Sequence, residues 1–272
     1  MPANRPLALA RPDPIPLPTR RIQVMGTSLD PVTMSEAVRL VERSVVARRP
    51  LRHVAMNAAK LEEMRTDPDL RRSVETADLV TADGQSIVWA SLFLGKPVPE
   101  RVTGIDLMLA TLDLAARRGF RVFTLGARED VVRDAVTILK RTYPGLNIVG
   151  AVDGYFTPEQ EAAVVARVAS ASPDILYVAL STPKKEKFLA AHQEELRIPF
   201  CMGVGGSLDV IAGRVRRAPR VLQCLGLEWL FRLAQEPRRL WRRYLRANTL
   251  FLWLFLRELW SRGGRSAGPG AP

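Results

Sequence analysis

Residues Val80 to Met108 read VTADGQSIVWASLFLGKPVPERVTGIDLM, and this stretch decides the fold. A mostly apolar run, Ala77 to Ala82 with Asp78 inside it, halts at Asp83-Gly84. An amphipathic segment from Gln85 to Leu94 follows, then Gly95-Lys-Pro-Val-Pro, then Glu100-Arg101-Val102-Thr103-Gly104. Asp-Gly after a strand-like run marks a tight turn. In an open α/β sheet such a turn lies at the carboxyl end of a strand, where ligands bind. Asp83 is therefore expected at a sheet rim, with Arg101 able to approach it through the fold. A carboxylate and a guanidinium facing one cleft suit transfer from a phosphorylated donor. The carboxylate can take a proton from an acceptor hydroxyl, and the cation can steady the departing phosphate. An aspartate that merely makes the turn is the other reading. The stretch alone leaves both open.

Outward from it, strand and helix patterns alternate. Ile22–Met25, Arg52–Met56, Arg121–Leu125, Asn147–Val152, Asp174–Leu180 and Phe200–Val204 read as strands. Thr33–Ala47, Ala58–Met64, Asp67–Thr76, Ile105–Arg118, Asp130–Arg141, Thr157–Ser170, Lys184–Glu194 and Leu208–Ala212 read as helices. This alternation predicts an α/β fold, a Rossmann-like parallel sheet with helices on both faces. Residues 1–20 form a proline-rich leader without the apolar core of a signal peptide, read as disordered. Residues 21–213 form the core, 214–262 a basic helical appendage, and 263–272 a disordered tail.

The net charge is +12 in 272 residues, and its placement matters more than its size. Arg214 to Arg265 holds thirteen Arg and three Glu, with no Lys or Asp, a net +10. A basic tail on a near-neutral body suggests an appendage for an anionic surface, either membrane or nucleic acid. Cys201 and Cys224 have no metal spacing and read as buried free thiols in a reducing compartment. His53 and His192 are isolated and read as structural, so no zinc site can be assembled from these side chains.

Several loops could meet a ligand. Gly203-Val-Gly-Gly-Ser-Leu-Asp209 follows a strand and precedes a helix, so N–H groups at Gly206 and Ser207 could hold a phosphate, or its glycines could serve the turn alone. It is a poor dinucleotide fingerprint because Leu208 stands where a third Gly or Ala belongs. That argues against a nicotinamide-dependent oxidoreductase, the enzymatic alternative. Lys184, Lys185 and Lys187 crowd a helix first turn, where the helix dipole favours anions, which hints at an anionic ligand, although a solvated charged face is the commoner outcome. Asn57 at a strand end, Gly84 in the turn, and Gly126-Ala-Arg128 are weaker contact candidates. Asp153 reads as a turn residue.

With these loops in view, the chain resembles the WecG/TagA/CpsF family of bacterial glycosyltransferases, glycosyltransferase family 26. The matching runs are Thr81-Ala-Asp-Gly-Gln, Pro99-Glu-Arg-Val-Thr-Gly-Ile-Asp, Gly154-Tyr-Phe, Thr182-Pro-Lys-Lys-Glu-Lys, Gly203-Val-Gly-Gly-Ser-Leu-Asp-Val-Ile-Ala-Gly, Arg217-Ala-Pro, and Leu225-Gly-Leu-Glu-Trp-Leu-Phe-Arg-Leu with Glu236-Pro. They cover most of Arg21 to Arg246 in the expected order. The resemblance implies an N-acetylmannosaminyltransferase-like enzyme that moves a sugar from UDP to a polyprenyl-diphosphate-linked glycan, with inversion, without a metal and without a cofactor. It implies Asp83 as general base, with Arg101 lining the same pocket. The family usually has Gln where this chain has Lys185, and commonly Thr where it has Ala55. Both positions are expected to face the donor sugar, so Lys185 could pair with an acidic donor such as a uronic acid, or with the diphosphate.

In the tail, Arg238, Arg239, Arg242, Arg243 and Arg246 fall on one side of a helical wheel. Leu240, Trp241, Tyr244, Leu245, Phe251 and Leu252 fall on the other. This is the pattern of an interfacial amphipathic helix. Each Arg near an anionic leaflet contributes about 1 kcal/mol. The unbroken apolar run Leu250–Leu256 spans only about 10 Å, whereas a spanning helix needs roughly 20 residues. The tail is therefore expected to lie on the membrane and not cross it, and the resemblance implies that this membrane is the bacterial plasma membrane at its cytoplasmic face. Bulky aromatics in a continuous apolar face suit lipid better than stacked bases, which argues against nucleic acid as partner. The resemblance further implies that Arg232, Arg239 and Arg242 complete the active site. A homo-oligomer is compatible with the reading.

Overall fold

The computed structural model describes residues 20–263. The leader through Thr19, the tail beyond Gly263 and the Arg239 side chain lie outside the described residues.

Six strands form one sheet in the order β4-β3-β8-β7-β5-β6, with every neighbouring pair parallel. They are β3 (Leu51–Met56), β4 (Leu79–Ala82), β5 (Arg121–Gly126), β6 (Asn147–Val152), β7 (Ile175–Ala179) and β8 (Phe200–Gly203). Every residue of β3, β4 and β7 is buried, the mark of strands covered on both faces. The two-residue period of a strand sorts their side chains. Leu79, Ile175, Tyr177, Phe200 and Met202 enter a core under α1 (Met34–Ala47), α5 (Gly104–Arg118) and α6 (Glu129–Thr142). Val54, Met56, Val80 and Ala82 face α2 (Ala58–Thr66), α3 (Pro68–Glu75) and α4 (Gln85–Phe93). Phe123, Leu125, Leu176 and Val178 face α7 (Pro158–Ser170) and α8 (Lys184–Leu196). The helix starts follow ordinary capping chemistry: Thr33 and Glu36 form a capping box on α1, and Asp67 with Pro68 opens α3.

The sequence reading missed one strand. β1 (Ile22–Val24) turns at Met25-Gly26 into β2 (Thr27–Leu29), an antiparallel ribbon outside the main sheet. Both turn residues have positive φ, 50° and 76°, the geometry of a tight hairpin turn. Asp30, paired with Arg21 at 2.8 Å, accepts a 2.7 Å bond from the Val80 N–H and ties the ribbon to β4. A second departure concerns the thiols: Cys201 is buried as expected, but Cys224 is exposed.

Beyond α9 (Ser207–Ile211) come α10 (Arg220–Cys224), α11 (Glu228–Gln235) and α12 (Pro237–Gly263). The last of these packs along α2. Leu240, Ala247 and Leu254 are buried at seven-residue spacing, and Leu250, Phe251 and Phe255 join the core that holds Val24, Met64 and Leu94. Fully burying an aliphatic side chain contributes about 1.5–3 kcal/mol, so this helix is part of the folded body. The wheel drawn from sequence is thereby corrected: Leu240 and Phe251 turn to protein, and Arg243 leaves the cationic side to pair with Glu63 at 2.9 Å. A separate stripe stays exposed, Trp241, Leu245, Leu252, Leu256 and Leu259. Their spacing places them on one helix face beside the buried one. Arg238, Arg242 and Arg246 are exposed as well. No helix among the described residues is long and apolar enough to cross a membrane.

Candidate active site

The site grows from the carboxyl ends of β3 and β4, neighbours in the sheet. β4 stops at Ala82, and the Asp83 N–H donates to the Met56 carbonyl at 2.8 Å, so the turn is pinned to the end of β3. Asn57, the first residue past β3, has two roles. Its Oδ1 accepts the Lys60 N–H and caps α2, which leaves Nδ2 to donate to Asp83 Oδ2 at 3.3 Å. The other carboxylate oxygen, Oδ1, accepts the Gly104 N–H at 3.3 Å at the first turn of α5. Gly84 holds the N-cap of α4 directly behind. Asp83 is thus fixed from two sides and still half-exposed.

Arg101 stands on the loop before α5, with its guanidinium 3.5 Å from Glu228 of α11. It lines a cleft of about 370 Å³ together with Gln85, Asp106, Arg217, Arg220, Gln223 and Cys224. Asp106 is anchored by Thr103, the N-cap of α5, and receives Arg217 at 2.7 Å. Arg232 lies one turn after Glu228, on the side of α11 that meets Arg101, and contacts Tyr244. α11 thus meets Arg101 through Glu228, and the loop before α10 meets Asp106 through Arg217. Arg242 is placed differently: its guanidinium stacks 5.2 Å from the Trp241 ring and is exposed.

The other predicted contacts are engaged within the protein. Ser207 Oγ donates to the Val204 carbonyl at 2.7 Å and is buried, while Gly206 beside it is exposed. Lys185 is turned inward. Its ammonium lies 2.8 Å from Glu186 Oε1 and donates to Thr182 Oγ1, while its stem crosses Gly203 so closely that a Cβ there would sit 2.9 Å from Lys185 Cδ. Lys60 approaches the same Glu186 oxygen at 2.8 Å and donates to the Ala55 carbonyl. Burial, with Lys60 beside it, pulls Lys185 down to about 8. Burial alone would raise Glu186, but the two ammonium groups overcome it and hold the carboxylate near 2. Burial likewise raises Glu63 against the pull of Arg243. The lysine crowding at the α8 start is met by protein anions, since Lys187 pairs with Asp67 at 2.8 Å. His53 is buried against Thr81 Oγ1 at 2.8 Å, and burial lowers it to about 3, so it stays neutral. His192 pairs with Glu161.

Sequence reasoning assigned no role to Arg220, Asp106 or Glu228, nor to the Gly104 N–H. Gly104 and Asp106 lie in the Pro99-to-Asp106 run, Arg217 in Arg217-Ala-Pro and Glu228 in the Leu225-to-Leu233 run, whereas Arg220 lies in none of the matching runs. Family comparison agrees with the geometry: the model of the glycosyl transferase WecG/TagA/CpsF family matches residues 22–265. The chain belongs to that family and is a glycosyltransferase.

Proposed function

We propose that this protein is an inverting transferase that moves a hexose, N-acetylmannosamine or a related sugar, from its UDP conjugate to a polyprenyl-diphosphate-linked acceptor. The setting would be bacterial surface polysaccharide or teichoic acid assembly. The observation that carries the reading is the Asp83 carboxylate, held at the rim by Asn57 and Gly104 beside a cleft lined by Arg101. In the reaction, Asp83 takes the proton of an acceptor hydroxyl, and that oxygen attacks the anomeric carbon from the face opposite the nucleotide. The bond from the anomeric carbon to the phosphate oxygen breaks, and UDP leaves with the electron pair. Arg101 and Arg232 offset the charge that develops on the diphosphate. Lys185 is left out of this donor site because Glu186 already engages its ammonium.

The exposed stripe of α12 from Trp241 to Leu259, flanked by Arg238, Arg242 and Arg246, suits docking on an anionic leaflet, where an acceptor of this kind resides. The test is a panel of UDP-sugars offered with a synthetic prenyl-diphosphate-linked acceptor. Release of UDP together with a glycosylated lipid is the expected result. Absence of transfer from every UDP-sugar would overturn the reading.

A further inference from the structure

The cleft beside Asp83 holds more cation than the donor reaction uses. Three guanidinium groups line it, Arg101, Arg217 and Arg220, against the carboxylates of Asp106 and Glu228. Among the described residues, no carboxylate pairs with Arg220. Arg217 is bound at one end only: Nη2 meets Asp106, while its buried Nε has no hydrogen-bond partner. A fork-shaped cation with a free N–H and a second cation without a counter-charge fit the oxygens of a phosphate or diphosphate.

The wall of this cleft also leads somewhere. Gln85 opens α4, and Trp89, Leu92 and Phe93 follow at helical spacing on the same face, 46%, 60% and 68% exposed. Gly226, between α10 and α11, is pressed against the start of that face. A Cβ there would come within 3.0 Å of Gln85 and 3.2 Å of Trp89. Anionic and apolar recognition therefore run end to end, with charge at the Asp83 end of α4 and exposed hydrocarbon at the other, where the Phe93 ring also meets Phe255 of α12 edge-on at 6.2 Å. That combination matches an amphiphile with a diphosphate head. A nucleotide sugar has no apolar tail to lay along Trp89 and Phe93.

We propose that Arg217 and Arg220 hold the diphosphate of the acceptor lipid, and that the exposed face of α4 from Trp89 to Phe93 carries its first prenyl units. This deepens the proposed function and rests on it, since it supplies the acceptor subsite of the same reaction. It also places the sugar joined to that diphosphate next to Asp83, whose turn continues directly into Gln85.

The test is calorimetric titration of the full chain with farnesyl diphosphate, inorganic diphosphate and UDP. Arg220→Ala is expected to weaken both farnesyl and inorganic diphosphate about tenfold or more, the usual cost of losing a charged hydrogen bond. Trp89→Ser is expected to weaken farnesyl diphosphate alone. UDP affinity should stay within about twofold in both variants. Arg217→Ala should repeat the Arg220 result, and because Arg220 is exposed, its variant decides the matter if the Arg217 variant fails to fold. Unchanged farnesyl diphosphate affinity in Arg220→Ala, equal losses for UDP, or equal losses of the two diphosphates in Trp89→Ser would each overturn the assignment. The reading falls outright if the unaltered chain does not bind farnesyl diphosphate. These ratios need no turnover, so a failure of the transfer reaction and a failure of this subsite are told apart.

Discussion

Two groups of charge stand close to the carboxyl ends of the same sheet, and they are built in opposite ways. At the end of β4, Asp83 is half-exposed and, among the described residues, is held by neutral donors, the Asn57 amide and the Gly104 N–H. Behind the ends of β3, β7 and β8, Glu186 is buried between the ammonium groups of Lys60 and Lys185. The first group keeps its charge available to a ligand. The second pairs its charge internally through Glu186 Oε1 and is closed to a ligand by burial. A charged residue at a strand end is thus a candidate for chemistry only when its partners are neutral and its face is open. Lys185, which the sequence marked as a donor contact, fails on both counts.

The contrast can be broken by exchanging consequences. Asp83→Asn keeps the shape and can still accept the Gly104 N–H. It should cut turnover by about 10²–10⁴, the range for a lost general base, while the melting temperature barely moves. Glu186→Gln should do the reverse, because it strands two buried ammonium groups. A loss of about 3–5 kcal/mol in denaturant unfolding is expected, and whatever protein remains folded should still bind UDP.

The two faces of α12 sharpen the same distinction between interior and surface. Leu254→Ala opens a gap against α2 and should cost about 2–5 kcal/mol. Leu252→Ala, on the exposed stripe, should cost under about 0.5 kcal/mol yet weaken sedimentation with anionic liposomes. Equal stability losses at the two positions would show that the stripe is covered by protein.

The last effect is a slope spread over several pH units. Lys185 loses its proton near pH 8 in the folded chain and near 10.5 in the unfolded one. Between those values the unfolded chain binds more protons, so stability rises with pH, by about 3 kcal/mol at most. Lys185→Gln should remove that rise, read as unfolding midpoints in denaturant at several pH values across the window.

Much of the fold was legible because the sheet is parallel and covered on both faces. Its strands are short apolar runs, and its helices carry ordinary caps. The β2 strand was not legible, since three residues after a two-residue turn give no period to read. Asp83 could be placed at the rim from Asp-Gly after an apolar run, but its partners could not. Gly104 is 21 positions away and contributes a backbone N–H, which no side-chain pattern reveals. Glu186 meets Lys60 across more than a hundred residues, so Lys185 looked like one more lysine at a helix start. In the tail, a helical wheel sorts apolar from charged residues but does not say whether protein or lipid covers an apolar face. Leu240 and Leu245 look alike in sequence, and only packing separates them.

The central claim is that Asp83 acts on the reacting hydroxyl rather than shaping the turn. It is tested most directly by the single-turnover transfer rate of Asp83→Asn, with donor and acceptor saturating, beside the UDP affinity of the same preparation. The account predicts an affinity within about twofold of the unaltered protein and a chemical step slowed by at least about a hundredfold. A chemical step near the original rate, or an affinity that falls in parallel with it, would contradict it.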